Sequence, residues 1–168
     1  MKETRKITLS AIFLALGLVL PFLTMQIQSI GNMLLPMHIP VLLCGYVVGV
    51  PYSLIIGFIT PVLRSFLFGM PMMLNAICMA FELATYGFVS GYLYRKMNHN
   101  IIVSLIVSMV LGRLVWGLAS TFILGINSGF SLSIFIAGAF TNAIPGIILQ
   151  IILIPIVVKI FERANLIK

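Results

Sequence analysis

Residues 101–124 read IIVSLIVSMVLGRLVWGLASTFIL, an apolar run that contains a single charged side chain, Arg113. A helix needs about 20 mostly apolar residues to cross the hydrocarbon core of a bilayer, so this run is predicted to be a transmembrane helix. The rest of the chain is similar: 61% of its 168 residues are hydrophobic, 8% are charged, and the mean hydropathy is +1.22. A soluble domain carries about 25% charged residues. The composition therefore predicts an integral membrane protein without a soluble domain.

Five further apolar segments flank this run, and together they predict one transmembrane domain over residues 1–168. Turn signals separate some of them, notably Gly49-Val50-Pro51 and Gly69-Met70-Pro71. Six helices with short loops nearly use up the chain, so the predicted fold class is all-α with six transmembrane helices. The predicted spans are Ile7–Met25, Leu34–Gly49, Tyr52–Phe68, Met72–Tyr94, Ile101–Leu124 and Leu132–Val158.

The basic residues indicate how these spans are oriented. With six spans, eight of the ten Lys and Arg residues fall on one side, and the loops on the other side contain none. Loops rich in Lys and Arg stay in the cytoplasm, so both termini are predicted to be cytoplasmic. The net charge of +7 then reflects membrane topology, and no nucleic-acid partner is predicted. The eight residues are Lys2, Arg5, Lys6, Arg95, Lys96, Lys159, Arg163 and Lys168.

Three ionisable residues, Arg64, Glu82 and Arg113, lie inside predicted spans. A charge near the bilayer centre costs about 2.5–3.5 kcal/mol, so each should face protein or a water-filled cavity. The helical rise places Glu82 near mid-depth and Arg113 in the outer half. These two residues either form a structural ion pair or line a pocket. Arg64 then has no carboxylate partner, so it either suits an anionic substrate or extends to the outer headgroups.

Other polar side chains are predicted at similar depths. Asn142 would lie near mid-depth in the sixth span, and Asn75 one turn into the fourth. Trp116 follows Arg113 by three residues, so the two share a helix face. His38, near the outer end of the second span, either lines a pocket or is exposed at the membrane interface, and exposure is the expected arrangement. The convergence of these groups predicts a substrate pocket that opens to the outside.

The sequence offers little for catalysis or metal binding. It has three acidic residues and no Asp, and no nucleophile–base pair stands out, so no enzyme and no cofactor is predicted. Cys44 and Cys78 lie in apolar runs, which favours small buried side chains over a disulfide. No second ligand lies at a metal-binding spacing from His38, so no metal site is assigned.

Several motifs, in their order along the whole chain, resemble the substrate-binding S components of energy-coupling factor (ECF) vitamin transporters. The basic start and the segment after it are similar to the first helix of that family. The middle of the chain resembles helices 2 to 4 of its riboflavin, pantothenate and thiazole branch. The motifs are TLSAIFLAL at 8–16, HIPVLLCG at 38–45, GFITP at 57–61, ELATYG at 82–87 and GYLYRK at 91–96.

The resemblance implies a mechanism. An S component of this kind captures a vitamin or vitamin precursor outside a prokaryotic plasma membrane. It then works with a transmembrane coupling subunit, on which Ala11 and Ala15 would dock, and with two cytoplasmic ATPase subunits. The chain contains no Gly-x-x-x-x-Gly-Lys-Ser/Thr loop, so ATP hydrolysis would belong to separate proteins.

Two other functions remain open at this point. A membrane scaffold of the MreD type, a cell-shape subunit of similar size, would need no buried charges, and the three intramembrane charges argue against it. A small proton-coupled carrier could use Glu82 as its proton site. Such carriers are usually longer or built from repeats, and no repeat is clear in this sequence.

Overall fold

The computed structural model describes residues 2–24, 31, 33–123, 143–164 and 167. These residues form six α-helices, and no β-strand occurs among them. A short 3₁₀-helix follows the first helix, and a π-helical turn, Tyr92–Lys96, follows the fourth. The predicted all-α class with six helices is confirmed. The helices are α1 (Glu3–Val19), α2 (His38–Val47), α3 (Tyr52–Phe68), α4 (Met73–Gly91), α5 (Ile101–Ile123) and α6 (Ile144–Arg163).

The six helices differ in length. Four segments are long and apolar enough to cross a bilayer, and α2 and α3 are shorter, with 10 and 17 residues. At about 1.5 Å per residue, α2 and α3 are about 15 Å and 26 Å long. The shortness of α2 fixes the depth at which its first residue lies. The four long segments are Glu3–Leu23, Met73–Lys96, Ile101–Ile123 and Ile144–Arg163.

The largest difference from the predicted boundaries is at α2, which begins at His38 and not at Leu34. Leu35 has a positive φ of 50°, and residues 36–37 form a turn, so the backbone cannot continue α2 upstream. Helix α6 runs to Arg163, five residues beyond the predicted end of the sixth span. The predicted start of that span, 132–142, lies outside the described residues.

The start of α1 and the end of α6 lie at the same end of the bundle. The Tyr52 hydroxyl donates a hydrogen bond of 2.5 Å to Glu3, which joins the start of α1 to the start of α3. Arg95 donates to the carbonyl of Val47 at 2.6 Å, joining the π-helical turn to the end of α2. Tyr94 donates to Glu162 near the end of α6. This agrees with the prediction that both termini share a side of the membrane, which the positive-inside rule assigns to the cytoplasm.

Glycines allow α4 to pack closely against α2 and α3. A Cβ atom on Gly57 of α3 would lie 2.3 Å from the carbonyl oxygen of Leu83, and one on Gly87 would lie 2.3 Å from that of Ser53. A Cβ atom on Gly45 of α2 would lie 3.0 Å from the carbonyl oxygen of Gly87. Small residues that recur every four positions permit such backbone contacts. These contacts place α4 in the interior of the bundle.

Helix α5 shows how the bundle separates polar from apolar side chains. Its exposed side is apolar and includes Val110, Leu114 and Leu118. Its buried side carries Arg113 and the small polar residues that precede and follow it, Ser104, Ser108 and Ser120. In water the opposite arrangement would be favoured, whereas lipid selects apolar side chains on the outside. The described part of the chain is therefore built for a bilayer. Cys44 and Cys78 are free and buried, as predicted.

Candidate functional site

Glu82 and Arg113 form an ion pair inside the bundle. Nη1 of Arg113 lies 3.0 Å from Oε1 of Glu82, and the two residues are 5% and 1% exposed. The ring of Tyr86, one turn after Glu82, packs where Gly112 leaves space, because a Cβ atom there would lie 2.3 Å from Cε1 of Tyr86. Helices α4 and α5 thus approach closely at this level. The ion pair, one of the two arrangements that the sequence allowed for these residues, is present.

His38 is the third polar member of this site. Its Nε2 lies 3.3 Å from Oε1 of Glu82, and its ring centroid lies 5.2 Å from that of Tyr86. His38 is 1% exposed, so the expectation that it is exposed at the membrane interface is wrong. The reason is that α2 is short and begins within the bundle. We refer to Glu82, Arg113, His38 and Tyr86 as the Glu82 cluster.

Several polar atoms of the Glu82 cluster lack a hydrogen-bond partner in the described part of the chain. They are Nε and Nη2 of Arg113, Oε1 of Glu82 and both ring nitrogens of His38; the contacts of Oε1 with Arg113 and His38 lack hydrogen-bond geometry. About 90% or more of buried polar groups in proteins are hydrogen-bonded. A guanidinium carries five N–H donors, and the pair with Glu82 engages only one of its nitrogens. The cluster can therefore donate hydrogen bonds to a further polar group and accept one at Glu82.

Gln150 lies at the same level along the bundle as Glu82, and it was not among the site residues predicted from the sequence. The hydrogen bond between Tyr94 and Glu162 joins α4 to α6. Glu82 precedes Tyr94 by twelve residues (94 − 82), and Gln150 precedes Glu162 by twelve (162 − 150), about 18 Å along each helix. Gln150 is fully buried, and neither atom of its amide has a partner among the described residues. A single amide in an otherwise apolar run is the signal that could have identified it.

Arg64 is buried but lies away from the Glu82 cluster. Its Nη1 donates to the carbonyl of Leu18 in α1, and its guanidinium lies 4.8 Å and 5.3 Å from the ring centroids of Phe22 and Phe68. Contacts between α3 and α4 pair residue 53 with 87 and residue 57 with 83, so residue 64 lies opposite residue 76. That level is six residues, or about 9 Å, beyond Glu82 along α4. Through its hydrogen bond to Leu18, Arg64 joins α3 to α1.

Trp116 and Asn75 lie further along the bundle than the Glu82 cluster. Trp116 is half-buried one turn beyond Arg113 on α5. Asn75 is half-buried in the first turn of α4, about 10 Å beyond Glu82. Asn142 lies outside the described residues. The structure thus brings together His38, Glu82 and Arg113 from the predicted set.

The proposed docking residues lie on the outside of the bundle. Ala11 and Ala15 are exposed, whereas Ser10, Phe13 and Gly17 on the opposite side of α1 are buried. A Cβ atom on Gly17 would lie 2.7 Å from Cγ2 of Thr60, which shows how closely the buried side of α1 packs on α3. Helix α1 thus presents a face of small residues that no other described residue covers.

Residues 5–158 match the protein-family model described as ECF transporter, substrate-specific component. This chain is an ECF S component. It is therefore a membrane subunit that provides substrate specificity to an ECF importer. Membership confirms the resemblance at the level of the family, and not of its riboflavin, pantothenate and thiazole branch. It favours an import function over a scaffold or a proton-coupled carrier. No individually curated protein and no solved structure matches the chain.

The buried polar residues of the S component limit the kind of ligand that it can bind. Among the described residues, no group of three or more His, Cys, Asp and Glu side chains could hold a metal ion. The Glu82 cluster instead combines one carboxylate, one guanidinium, an imidazole and a phenol in an apolar bundle. In the S component such groups are suited to bind an organic molecule by hydrogen bonds, with apolar and aromatic contacts around it.

Proposed function

We propose that this S component captures a vitamin or vitamin precursor with high affinity from outside a prokaryotic plasma membrane. A transmembrane coupling subunit and two separate ATPase subunits would then drive release of the substrate into the cytoplasm. Within the S component, the substrate would bind in the outer half of the bundle. The Glu82 cluster would form the floor of the pocket, and Trp116, Asn75 and Asn142 would lie along its wall. The whole of residues 1–168 would serve as one substrate-binding domain.

The Glu82 cluster is the observation that supports this proposal. Burying a charge in a membrane costs several kcal/mol, and a buried ion pair is often no more stable than an apolar pair of the same volume. Stability alone therefore does not explain why a membrane bundle retains Glu82, Arg113 and His38. Their unpartnered donors fit a binding site, because a bound substrate would provide the missing acceptors.

The exposed face of α1 supports the partner part of the proposal. Ala11 and Ala15 lie one turn apart on a surface that no other described residue covers. Small residues at this spacing let a second helix approach closely in the membrane. We therefore expect the coupling subunit to contact α1 along Ala11 and Ala15, at a distance from the buried Glu82 cluster. Docking and substrate binding should be separable by mutation.

Uptake into proteoliposomes tests the proposal. The S component is reconstituted with a coupling subunit and two ATPases, and ATP-dependent uptake is measured for radiolabelled B vitamins and their precursors. One of these compounds should enter only when ATP and all subunits are present. Ala15→Trp should abolish that uptake and leave binding to the isolated S component intact, because the bulky ring blocks helix contact.

Leu118→Trp provides the matched control. Leu118 is 61% exposed on α5, so the substitution adds similar bulk to another lipid-facing surface. Uptake by this variant should match that of the wild type. Uptake that does not require ATP, or equal loss of uptake in the Ala15 and Leu118 variants, would contradict the proposal.

A further inference from the structure

We infer that the part of the substrate that enters deepest is an uncharged planar group with two adjacent acceptor atoms, which binds side-on to Nε and Nη2 of Arg113. This inference rests on the proposed function, because it assigns the substrate class of the same pocket. It also assigns Gln150 as a second contact for that group.

The Nε–Nη2 edge of the Arg113 guanidinium determines the shape of the group that can bind there. Nη1 lies 3.0 Å from Oε1 of Glu82, whereas Nε and Nη2, which lie on the other edge of the guanidinium plane, have no partner among the described residues. Two parallel N–H groups on one edge bind two acceptors that lie side by side in the same plane. A carboxylate has this arrangement, and so does a heterocycle with a ring nitrogen beside a ring carbonyl.

The charge of the site distinguishes these two possibilities. Glu82 and Arg113 neutralise each other at 3.0 Å, so this ion pair carries no net charge. A bound carboxylate would leave one uncompensated negative charge in a buried site, which is strongly unfavourable. Among the described residues the remaining buried cation is Arg64, about 9 Å further along the bundle and already bound to the carbonyl of Leu18. An uncharged acceptor pair satisfies Arg113 without this cost.

Gln150 adds a second requirement. Its amide is fully buried at the height of Glu82, and both its oxygen and its nitrogen lack partners in the described part of the chain. An amide presents one acceptor and two donors, so its counterpart needs both a donor and an acceptor. A heterocycle that carries an amino group near its acceptor edge meets both requirements, whereas a simple carboxylate has no donor.

Small probes test this directly by thermal shift and calorimetry on the purified full chain in nanodiscs. Cytosine presents two adjacent acceptors, N3 and O2, together with an amino group. Uracil has nearly the same shape but carries a donor at N3, and benzoate is planar and anionic. Because these fragments lack most of the contacts of a full substrate, we expect cytosine to bind with about millimolar affinity. Uracil and benzoate should bind at least about tenfold more weakly.

Arg113→Lys should weaken cytosine binding at least about tenfold, because lysine keeps the charge beside Glu82 but loses the planar donor edge. Arg64→Lys is the matched control at a buried arginine outside the site and should leave cytosine binding unchanged. The inference is overturned if benzoate binds as tightly as cytosine, if uracil and cytosine bind equally, if no probe binds, or if Arg113→Lys has no effect.

These outcomes are distinct from a failure of the proposed function. Tight binding of carboxylates combined with ATP-dependent uptake would overturn the substrate class and leave the import function intact. Binding of cytosine without ATP-dependent uptake of any vitamin or precursor would support the substrate class and contradict the import mechanism.

Discussion

Replacing Glu82 with glutamine leaves the Arg113 guanidinium buried without its counter-ion. The two charged groups are 3.0 Å apart, and their side chains are 1% and 7% exposed. At an effective dielectric constant of about 20, their attraction is about 5.5 kcal/mol (332/(20 × 3.0)). Removing one member of a buried pair typically lowers the free energy of unfolding by about 3–5 kcal/mol. We expect a loss of that size for Glu82→Gln and for Arg113→Met.

The double variant distinguishes the ion pair from two independent effects. With both charges absent, neither is left uncompensated, so the double variant should be more stable than the sum of the two single losses predicts, by at least about 2 kcal/mol. The free energy of unfolding is measured in mixed micelles by raising the fraction of a denaturing detergent. As a matched control, Glu82→Gln is combined with Arg64→Met, whose guanidinium binds the carbonyl of Leu18. Those two losses should add within about 0.5 kcal/mol.

A stabilising ion pair is ruled out if the losses for Glu82→Gln and Arg113→Met also add within about 0.5 kcal/mol. In that case the short contact would contribute no net coupling, and the two residues would be retained for separate reasons.

Three further results are expected. Gln150→Leu should raise the free energy of unfolding of the substrate-free protein by about 1–2 kcal/mol, because it removes a buried unpartnered amide. It should also weaken substrate binding in calorimetry. A loss in stability would count against the unpartnered amide. Asn98→Cys should react with an impermeant thiol reagent only after the cells are opened, whereas Met72→Cys, at the other end of the bundle, should react in intact cells; the reverse pattern would invert the topology. Gly57→Ala should destabilise the bundle by about 1–3 kcal/mol, because the added Cβ atom would clash with a backbone carbonyl. The loss should be larger than for Gly17→Ala, whose Cβ atom would contact the end of a side chain. Equal losses would argue against a backbone contact.

The apolar runs were sufficient to predict six helices, because in lipid the backbone must form its own hydrogen bonds and each apolar run becomes one helix. The charged residues inside the runs also indicated Glu82 and Arg113, since a buried charge in a membrane needs a partner. Helix α4 illustrates this success, because its predicted span, Met72–Tyr94, differs from the helix and its π-helical turn by one or two residues at each end.

The depth of His38 could not be derived in the same way. It depends on the positive φ of Leu35, which stops α2 from extending upstream, and apolar composition carries no sign of that backbone conformation. The environment of Arg64 could not be predicted from the sequence either. The helix changes from α to 3₁₀ after Val19, and such a junction leaves a carbonyl without its usual N–H donor. The carbonyl of Leu18 binds Arg64 there, and the sequence of α3 alone gives no indication of it.

All ten residues of α2 are buried, so lipid acyl chains do not touch this helix. A helix of about 15 Å at a lipid boundary would force the bilayer to thin or the helix to change its tilt, since the hydrocarbon core is about 30 Å thick. Neighbouring helices shield α2, so hydrophobic mismatch places no constraint on its length. Helix α2 can therefore begin at mid-membrane, where its first turn carries His38 to Glu82.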